Sequence, residues 1–335
     1  MRKYSVIIPV YNRPDEVDEL LASLCEQTYK HFDVLVIEDG STKDCKAEVA
    51  KYQDQLDITY YSKPNEGQGF TRNFGFARAT GEYLIVFDSD ALVPAHYFEV
   101  VEKHLNTEWL DVYGGPDAAH DSFTPMQKAI SYSMTSPFTT GGIRGGKKQL
   151  GKYEPRSFNM GISREVFERT NGYVITRMGE DVEFSQRIRK EGFKIGLIPE
   201  AYIYHKRRTT LKQFWKQLHF FGRARINLTR WLDGSMKLFH AFPAFFLLGL
   251  IFWPLTCFVS LPLFGLGAIL ISVFALGNLI DSTLKNKSLY IGLLSVVTSF
   301  TQLMAYGAGF IQEGLKRPFE DTEASRIKQR AGEKV

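Results

Sequence analysis

Tyr83-Leu84-Ile85-Val86-Phe87-Asp88-Ser89-Asp90 is an apolar, β-prone run that stops abruptly on two carboxylates one residue apart. Five apolar residues in a row, closed by a polar turn cluster, read as a strand buried on both faces, the kind a parallel sheet contains. Upstream, Gly69 to Ala79 reads as a helix and Ile58 to Tyr61 as another strand. Phe32 to Ile37 is a third apolar strand, closed by Glu38-Asp39-Gly40-Ser41. Before it, Val17, Leu20, Leu21 and Leu24 fall at the i, i+3, i+4, i+7 spacing of a buried helical face. Pro14, Asp15 and Glu16 supply that helix with a start. Tyr4 to Pro9 completes the series. Strands alternating with helices predict an α/β fold with a mainly parallel sheet and right-handed crossovers. Ligands of such sheets sit beyond the carboxyl ends of the strands, so Asp39, Asp88 and Asp90 are expected around one cleft.

The whole-chain averages conceal a division. The 335 residues carry 41 Lys+Arg against 37 Asp+Glu, a net charge of +4, with 44% hydrophobic residues. Yet Leu238 to Ile280 and Ser288 to Gln312 contain no Asp, Glu, Lys or Arg. The residues before them suffice for a full core, which excludes disordered, collagen-like and disulfide-scaffold classes. Cys25, Cys45 and Cys257 lack metal-ligand spacing and suit a reducing compartment, arguing against structural zinc. Val6 to Val10 is too short for a signal peptide and contains Pro9, so the N-terminus is expected to remain cytosolic.

A series of motifs adds a family. Ser5-Val-Ile-Ile-Pro-Val-Tyr-Asn12, Glu38-Asp-Gly-Ser-Thr42, Asn65-Glu-Gly67, Arg72-Asn-x-Gly75, Gly81-Glu-Tyr83, Asp88-Ser-Asp90 and Gly179-Glu-Asp181 occur in one collinear order. This order resembles the family 2 glycosyltransferases with a GT-A fold over roughly residues 4 to 210. The resemblance implies inverting transfer of a sugar from a nucleotide diphosphate sugar, a UDP-sugar being expected, with a divalent cation, Mg2+ or Mn2+. The apolar tail is similar to that of bacterial members that build envelope or exopolysaccharide glycans on lipid-linked acceptors.

The resemblance also distributes roles. Asp90 is expected on the metal and Asp88 on the ribose or metal, with Ser89 between them; Asp-x-Asp is otherwise a common solvated turn. Asp39 is expected at the base or ribose with Pro9, Tyr11 and Asn12, against the ordinary use of Asp-Gly-Ser as a turn former. Glu38 departs from an Asp found there in many relatives. Arg72 would bridge nucleotide and diphosphate as a fork of donors. Asp181 would be the general base and Glu180 would orient the acceptor, although acids in a first helical turn also simply complement the helix dipole. His205 is a candidate third metal ligand. Gly141 to Gly146 lacks the P-loop Lys-Ser/Thr and reads as an acceptor loop. Asn159 and Gly161 are expected on the acceptor side.

From Lys206 to Lys237, nine basic residues face only Asp233, and Phe214, Trp215, Phe220, Phe221 and Trp231 are interleaved. Directly before an apolar run, this composition predicts an interfacial helix on anionic lipid rather than a nucleic-acid surface. The first charge-free stretch is about twice the ~20 residues of one span, giving two helices with a turn near Ser260-Leu-Pro262. Leu289 to Ile311 is a further segment, either a third span or a re-entrant or interfacial one, since Lys316 and Arg317 favour the cytosolic side. The chain therefore divides into a catalytic domain (1–209), a basic juxtamembrane segment (210–237), a membrane region (238–312) and a charged tail (313–335). The expected location is the inner (plasma) membrane, with the catalytic domain cytoplasmic. Expected partners are a nucleotide sugar, a lipid-linked or glycan acceptor and membrane lipid, and no nucleic acid. A chain ending before Leu238 is expected to fold. Processive relatives carry Gln-x-x-Arg-Trp; Asn227-Leu-Thr-Arg230-Trp231 misses it, so single-sugar addition is favoured. The rival classes are a non-catalytic membrane adaptor, which would be expected to have lost one of Asp39, Asp90 or Asp181, and a nucleotidyltransferase, which has no use for a base at Asp181.

Overall fold

The computed structural model describes residues 1–140, 153–176, 179–231 and 236–316. The Gly141 to Gly146 stretch and the tail beyond Lys316 lie outside the described residues, as do the side chains of Arg230 and Trp231. The chain forms two compact units, the first from residues 1–120 and 151–206, the second from 121–150 and 207–324.

In chain order the first unit opens with β1 (Tyr4–Val10), α1 (Pro14–Cys25), β2 (Phe32–Asp39), α2 (Lys46–Ala50), β3 (Ile58–Lys63), α3 (Gln68–Phe76) and β4 (Tyr83–Phe87). Next come β5 (Ala91–Leu92), α4 (Tyr97–Thr107), β6 (Val112–Gly114) and β7 (Asp117–Ala118). The second unit then takes α5 (Pro125–Thr135) and α6 (Pro137–Thr140). The first resumes with β8 (Asn159–Ser163), α7 (Arg164–Thr170), α8 (Glu180–Lys190), β9 (Ile195–Leu197) and β10 (Ile203–His205). The second ends with α9 (Leu211–Trp231), α10 (Phe242–Phe252), α11 (Leu261–Asn286) and α12 (Leu289–Gly314).

Seven strands form the main sheet in the order β3-β2-β1-β4-β8-β6-β9. β1, β2, β3 and β4 run parallel, whereas β8 is antiparallel to both neighbours. Every residue of β2 and β4 is buried, which is why neither run alternates with polar residues. Val17, Leu20, Leu21 and Leu24 of α1 lie fully buried against the sheet. Each contributes roughly 1.5–3 kcal/mol of apolar burial. The winding reverses between β1 and β4, with β2 on one side of β1 and β4 on the other. The carboxyl ends of β1 and β4 therefore lie side by side, and the loops that leave them border one crevice there.

In the second unit, Ile130 and Met134 of α5, Phe214 and Leu218 of α9 and Ala305 of α12 share one apolar cluster. α9 and α12 approach closely because both carry glycine at the crossing: a Cβ on Gly222 would collide with the Tyr306 carbonyl, and one on Gly309 with that of His219. Glu313, buried near the end of α12, accepts from Arg223 Nε at 2.8 Å and Lys316 Nζ at 3.1 Å. α5 is tied to the same bundle by Thr298 Oγ1 donating to the Ala129 carbonyl at 3.0 Å and Tyr132 donating to Asp281 at 2.8 Å.

Two expectations change here. Residues 121–140 group with the apolar helices rather than with a catalytic domain running unbroken to 209. A chain ending before Leu238 would also strip α12 from α5 and α9, exposing Ile130, Met134, Phe214 and Leu218 to water. Sequence periodicity identifies that apolar face but not what covers it.

Among the described residues, three helical segments are long and apolar enough to cross a membrane: Leu238–Phe258, Leu261–Asn286 and Leu289–Gly314. The first two are exposed along nearly their whole length, whereas the third is close to half buried.

Candidate active site

The crevice at the winding reversal collects the acidic residues from separate elements. Asp88 and Asp90 follow β4 directly. The short β5 then pairs antiparallel with β10, with His205 opposite Ala91, and the Lys206 N–H donates to the Asp90 carbonyl at 3.0 Å. That pairing carries His205 to Asp90, their side chains meeting at 2.9 Å through Nε2 and Oδ1. Phe158 stacks on the imidazole with centroids 4.8 Å apart. Potential ligand atoms of Asp88, Asp90 and His205 all lie within 4.8 Å of one another. Two carboxylates and an imidazole suit Mg2+ or Mn2+ in donor chemistry.

Each aspartate also faces an arginine. Arg72, fully buried in α3, donates from Nη2 to Asp88 Oδ1 at 2.9 Å and packs over the Tyr173 ring. Its Nε and Nη1 make no hydrogen bond among the described residues. Nη1 lies 3.8 Å from Glu180 Oε1. Arg13, in the loop after β1, donates from Nη1 to Asp90 Oδ2 at 2.7 Å. Burial alone would raise the Asp90 carboxyl, but His205 and Arg13 together hold it well below the ordinary carboxylate range. The sequence reading missed Arg13. The signal was the reversal of strand order, which sets the loop after β1 beside the loop after β4.

Asp39, at the end of β2, organises the next loop. Its Oδ1 accepts from Lys63 Nζ at 2.7 Å and the Glu66 N–H at 2.9 Å, and its Oδ2 from the Gly67 N–H at 2.8 Å. A carboxylate has about four acceptor positions, so roughly one remains. Burial pushes this carboxyl up, yet Lys63 and the Glu66 N–H win and hold it below its usual value. Asp39→Ala removes the buried carboxylate from Lys63, leaving it the exposed Glu66 at 3.0 Å, and strips the Glu66 and Gly67 N–H groups of their acceptor. A loss of about 3 kcal/mol is expected, read as a lowered Tm. Because the folded carboxyl is depressed, the stabilisation is fully present above the unfolded value near ~3.9 and is lost as pH falls through the folded one.

Pro9 lies partly buried in β1, Tyr11 is half exposed and Ser89 is buried. Asn12, in the left-handed region at φ 55°, clamps the loop after β2, accepting from the Thr42 N–H at 2.8 Å and the Lys43 N–H at 2.9 Å. Glu38 is buried; Ser41 donates to it, as does the Cys45 N–H at 2.8 Å. Both residues thus hold loop conformation.

Glu180 and Asp181 open α8, whose Val182, Phe184 and Ile188 are buried. Gln68 of α3 donates to Glu180 Oε1, and the Gly179 N–H donates to Oε2 at 3.2 Å. Burial and the neighbouring Asp181 push the Glu180 carboxyl up despite Arg72. Asp181 Oδ1 is buried and has no hydrogen-bond partner among the described residues.

Asn159 and Gly161 require correction. Tyr97 donates to Asn159 Oδ1 at 2.6 Å, and Asn159 Nδ2 donates to the Ala201 carbonyl at 2.8 Å, within the sheet core. A Cβ at Gly161 would strike the Tyr113 ring. Both serve packing rather than the acceptor side.

Residues 5–171 match the family model described as Glycosyl transferase family 2. An uncharacterized glycosyltransferase of Rickettsia conorii is 41% identical over 103 residues, 31% of this chain and 17% of that protein. The uncharacterized glycosyltransferase EpsJ of Bacillus subtilis is 25% identical over 218 residues, 62% of each. The chain thus spans about a sixth of the length of the first of these relatives. Among solved structures, the mannosyltransferase PcManGT from Pyrobaculum calidifontis, in complex with GDP-Man and Mn2+, shares the fold with a TM-score of 0.61 at 18% identity, over 89% of this chain and 87% of that one.

Proposed function

Because this chain carries a glycosyl transferase family 2 domain on a GT-A fold, we propose that it transfers a sugar from a nucleotide diphosphate sugar, with inversion, to a lipid-linked or glycan acceptor. The observation that carries this reading is the division of labour between adjacent acids. Glu180 is engaged by Gln68 and the Gly179 N–H, while Asp181 keeps a buried oxygen without a partner among the described residues. Asp181 takes the proton of the acceptor hydroxyl as it attacks the anomeric carbon, and Glu180 orients the acceptor.

Asp88, Asp90 and His205 would hold a divalent cation, as Mn2+ accompanies GDP-Man in the mannosyltransferase complex. When bound, such a cation neutralises charge that grows on the diphosphate leaving group. Arg72 turns its two unsatisfied donors to the same diphosphate or to the sugar. Pro9, Tyr11, Asn12 and Ser89 line the nucleotide side, and Asp39 serves it through the Pro64–Gly67 loop and its remaining acceptor position. The test is a panel of UDP-, GDP- and other nucleotide sugars offered to the full chain in native lipid with Mn2+, scoring released nucleoside diphosphate. Turnover of one donor supports the reading, and release from none contradicts it.

Membrane association rests on the apolar helices, and the catalytic unit lies on the cytoplasmic face of the inner membrane in this reading. α10 with Trp253–Phe258, and α11, form a two-span hairpin turning at Ser260. α12 lies at the interface, because it packs along α9, whose Lys212, Lys216, Arg223 and Arg225 keep that helix at the lipid headgroups. In a chain lacking its native cysteines, Lys316→Cys is expected to react from the cytoplasmic side and Ser260→Cys from the opposite one. Labelling of Lys316→Cys from outside would require three spans.

A further inference from the structure

We infer that Arg13 is a built-in stand-in for the divalent cation, which makes metal binding depend on the nucleotide. This inference rests on the metal site proposed above.

Both oxygens of Asp90 are engaged by side chains, Oδ2 by Arg13 Nη1 at 2.7 Å and Oδ1 by His205 Nε2 at 2.9 Å. Asp88 is likewise engaged by Arg72. Each of the two carboxylates therefore already has a guanidinium partner. A divalent cation entering this cluster alone meets two fixed positive charges at hydrogen-bond range of its own ligands. Entry becomes favourable when a nucleoside diphosphate supplies the missing negative charge or when Arg13 withdraws.

The two arginines are not equivalent in freedom to move. Arg72 is enclosed, its side chain 1% exposed. Arg13 is 30% exposed and sits in the loop that precedes α1, where its Nε lies 3.5 Å from Glu16. Its guanidinium can leave Asp90 without unpacking a core. The loop after β1 is also the one bearing Tyr11 and Asn12, so an arriving nucleotide and the departing guanidinium meet on one segment. Arg13 acts on the cation through Asp90 and is a positioning residue. The metal site then fills mainly when the donor is present, and Arg13 and Arg72 partner the carboxylates otherwise.

The experiment measures Mn2+ affinity from the free Mn2+ electron paramagnetic resonance signal, using the full chain in detergent with Mn2+ alone, with UDP and with GDP. In the native chain, one of the nucleotides is expected to tighten Mn2+ binding by about 10-fold or more. Arg13→Ala is expected to bind Mn2+ alone about 10-fold more tightly than the native chain, with the nucleotide enhancement reduced to a few-fold. Arg13→Gln, which keeps the chain length, should behave like Arg13→Ala, and Arg13→Lys, which keeps the charge, like the native protein. Mn2+ binding alone by the folded Arg13→Ala and Arg13→Gln proteins that is no tighter than native overturns the inference and leaves the metal site standing. Failure of every form to bind Mn2+ under any condition overturns both.

Discussion

Asp90→Asn, and the native chain in excess chelator, are both expected to lose transfer by about 10³-fold or more, since several kcal/mol of leaving-group stabilisation disappear. Asn keeps the size of Asp90 and its contact range to Arg13 and His205, so the Tm of Asp90→Asn should move far less than the rate. Readdition of Mn2+ should restore the chelated native chain and not the variant. Full turnover in chelator would remove the cation from the mechanism and leave Arg13 and Arg72 as the positive charges at the diphosphate.

Asp181→Asn is expected to bind the nucleotide sugar with native affinity and to turn it over about 10²- to 10⁴-fold more slowly, the usual contribution of a general base. The separation follows from position. Asp181 opens α8, while the residues assigned to the nucleotide lie after β1, β2 and β4 and in α3. If Asp181 merely complemented the α8 dipole, the substitution would cost about 1 kcal/mol of stability and little rate. Near-native turnover by a folded Asp181→Asn protein would pass the base assignment to Glu180, whose carboxyl is already pushed up by burial.

Much of the first unit was legible because its strands are buried on both faces. β4 spans Tyr83–Phe87, as its unbroken apolar run indicated. The buried face of α1 is Val17, Leu20, Leu21 and Leu24, as the spacing indicated. The acids stood out because they close strands at the carboxyl edge, where parallel sheets bind their ligands. Long-range pairing was less legible. Arg13 is an unremarkable basic residue until the strand order brings its loop to Asp90. Asn159 was expected on the acceptor side, but Tyr97 and the Ala201 carbonyl satisfy it inside the core. α5 carries an ordinary amphipathic pattern, and nothing local indicates that its apolar face meets α12, more than 150 residues away in sequence.

The anomeric configuration of the first product tests direct displacement with Asp181 as base. With the donor selected by the nucleotide-sugar panel, proton NMR of the glycoside formed by the native chain is expected to show the configuration opposite to that of the donor. Retained configuration would require a different mechanism and would contradict the role assigned to Asp181.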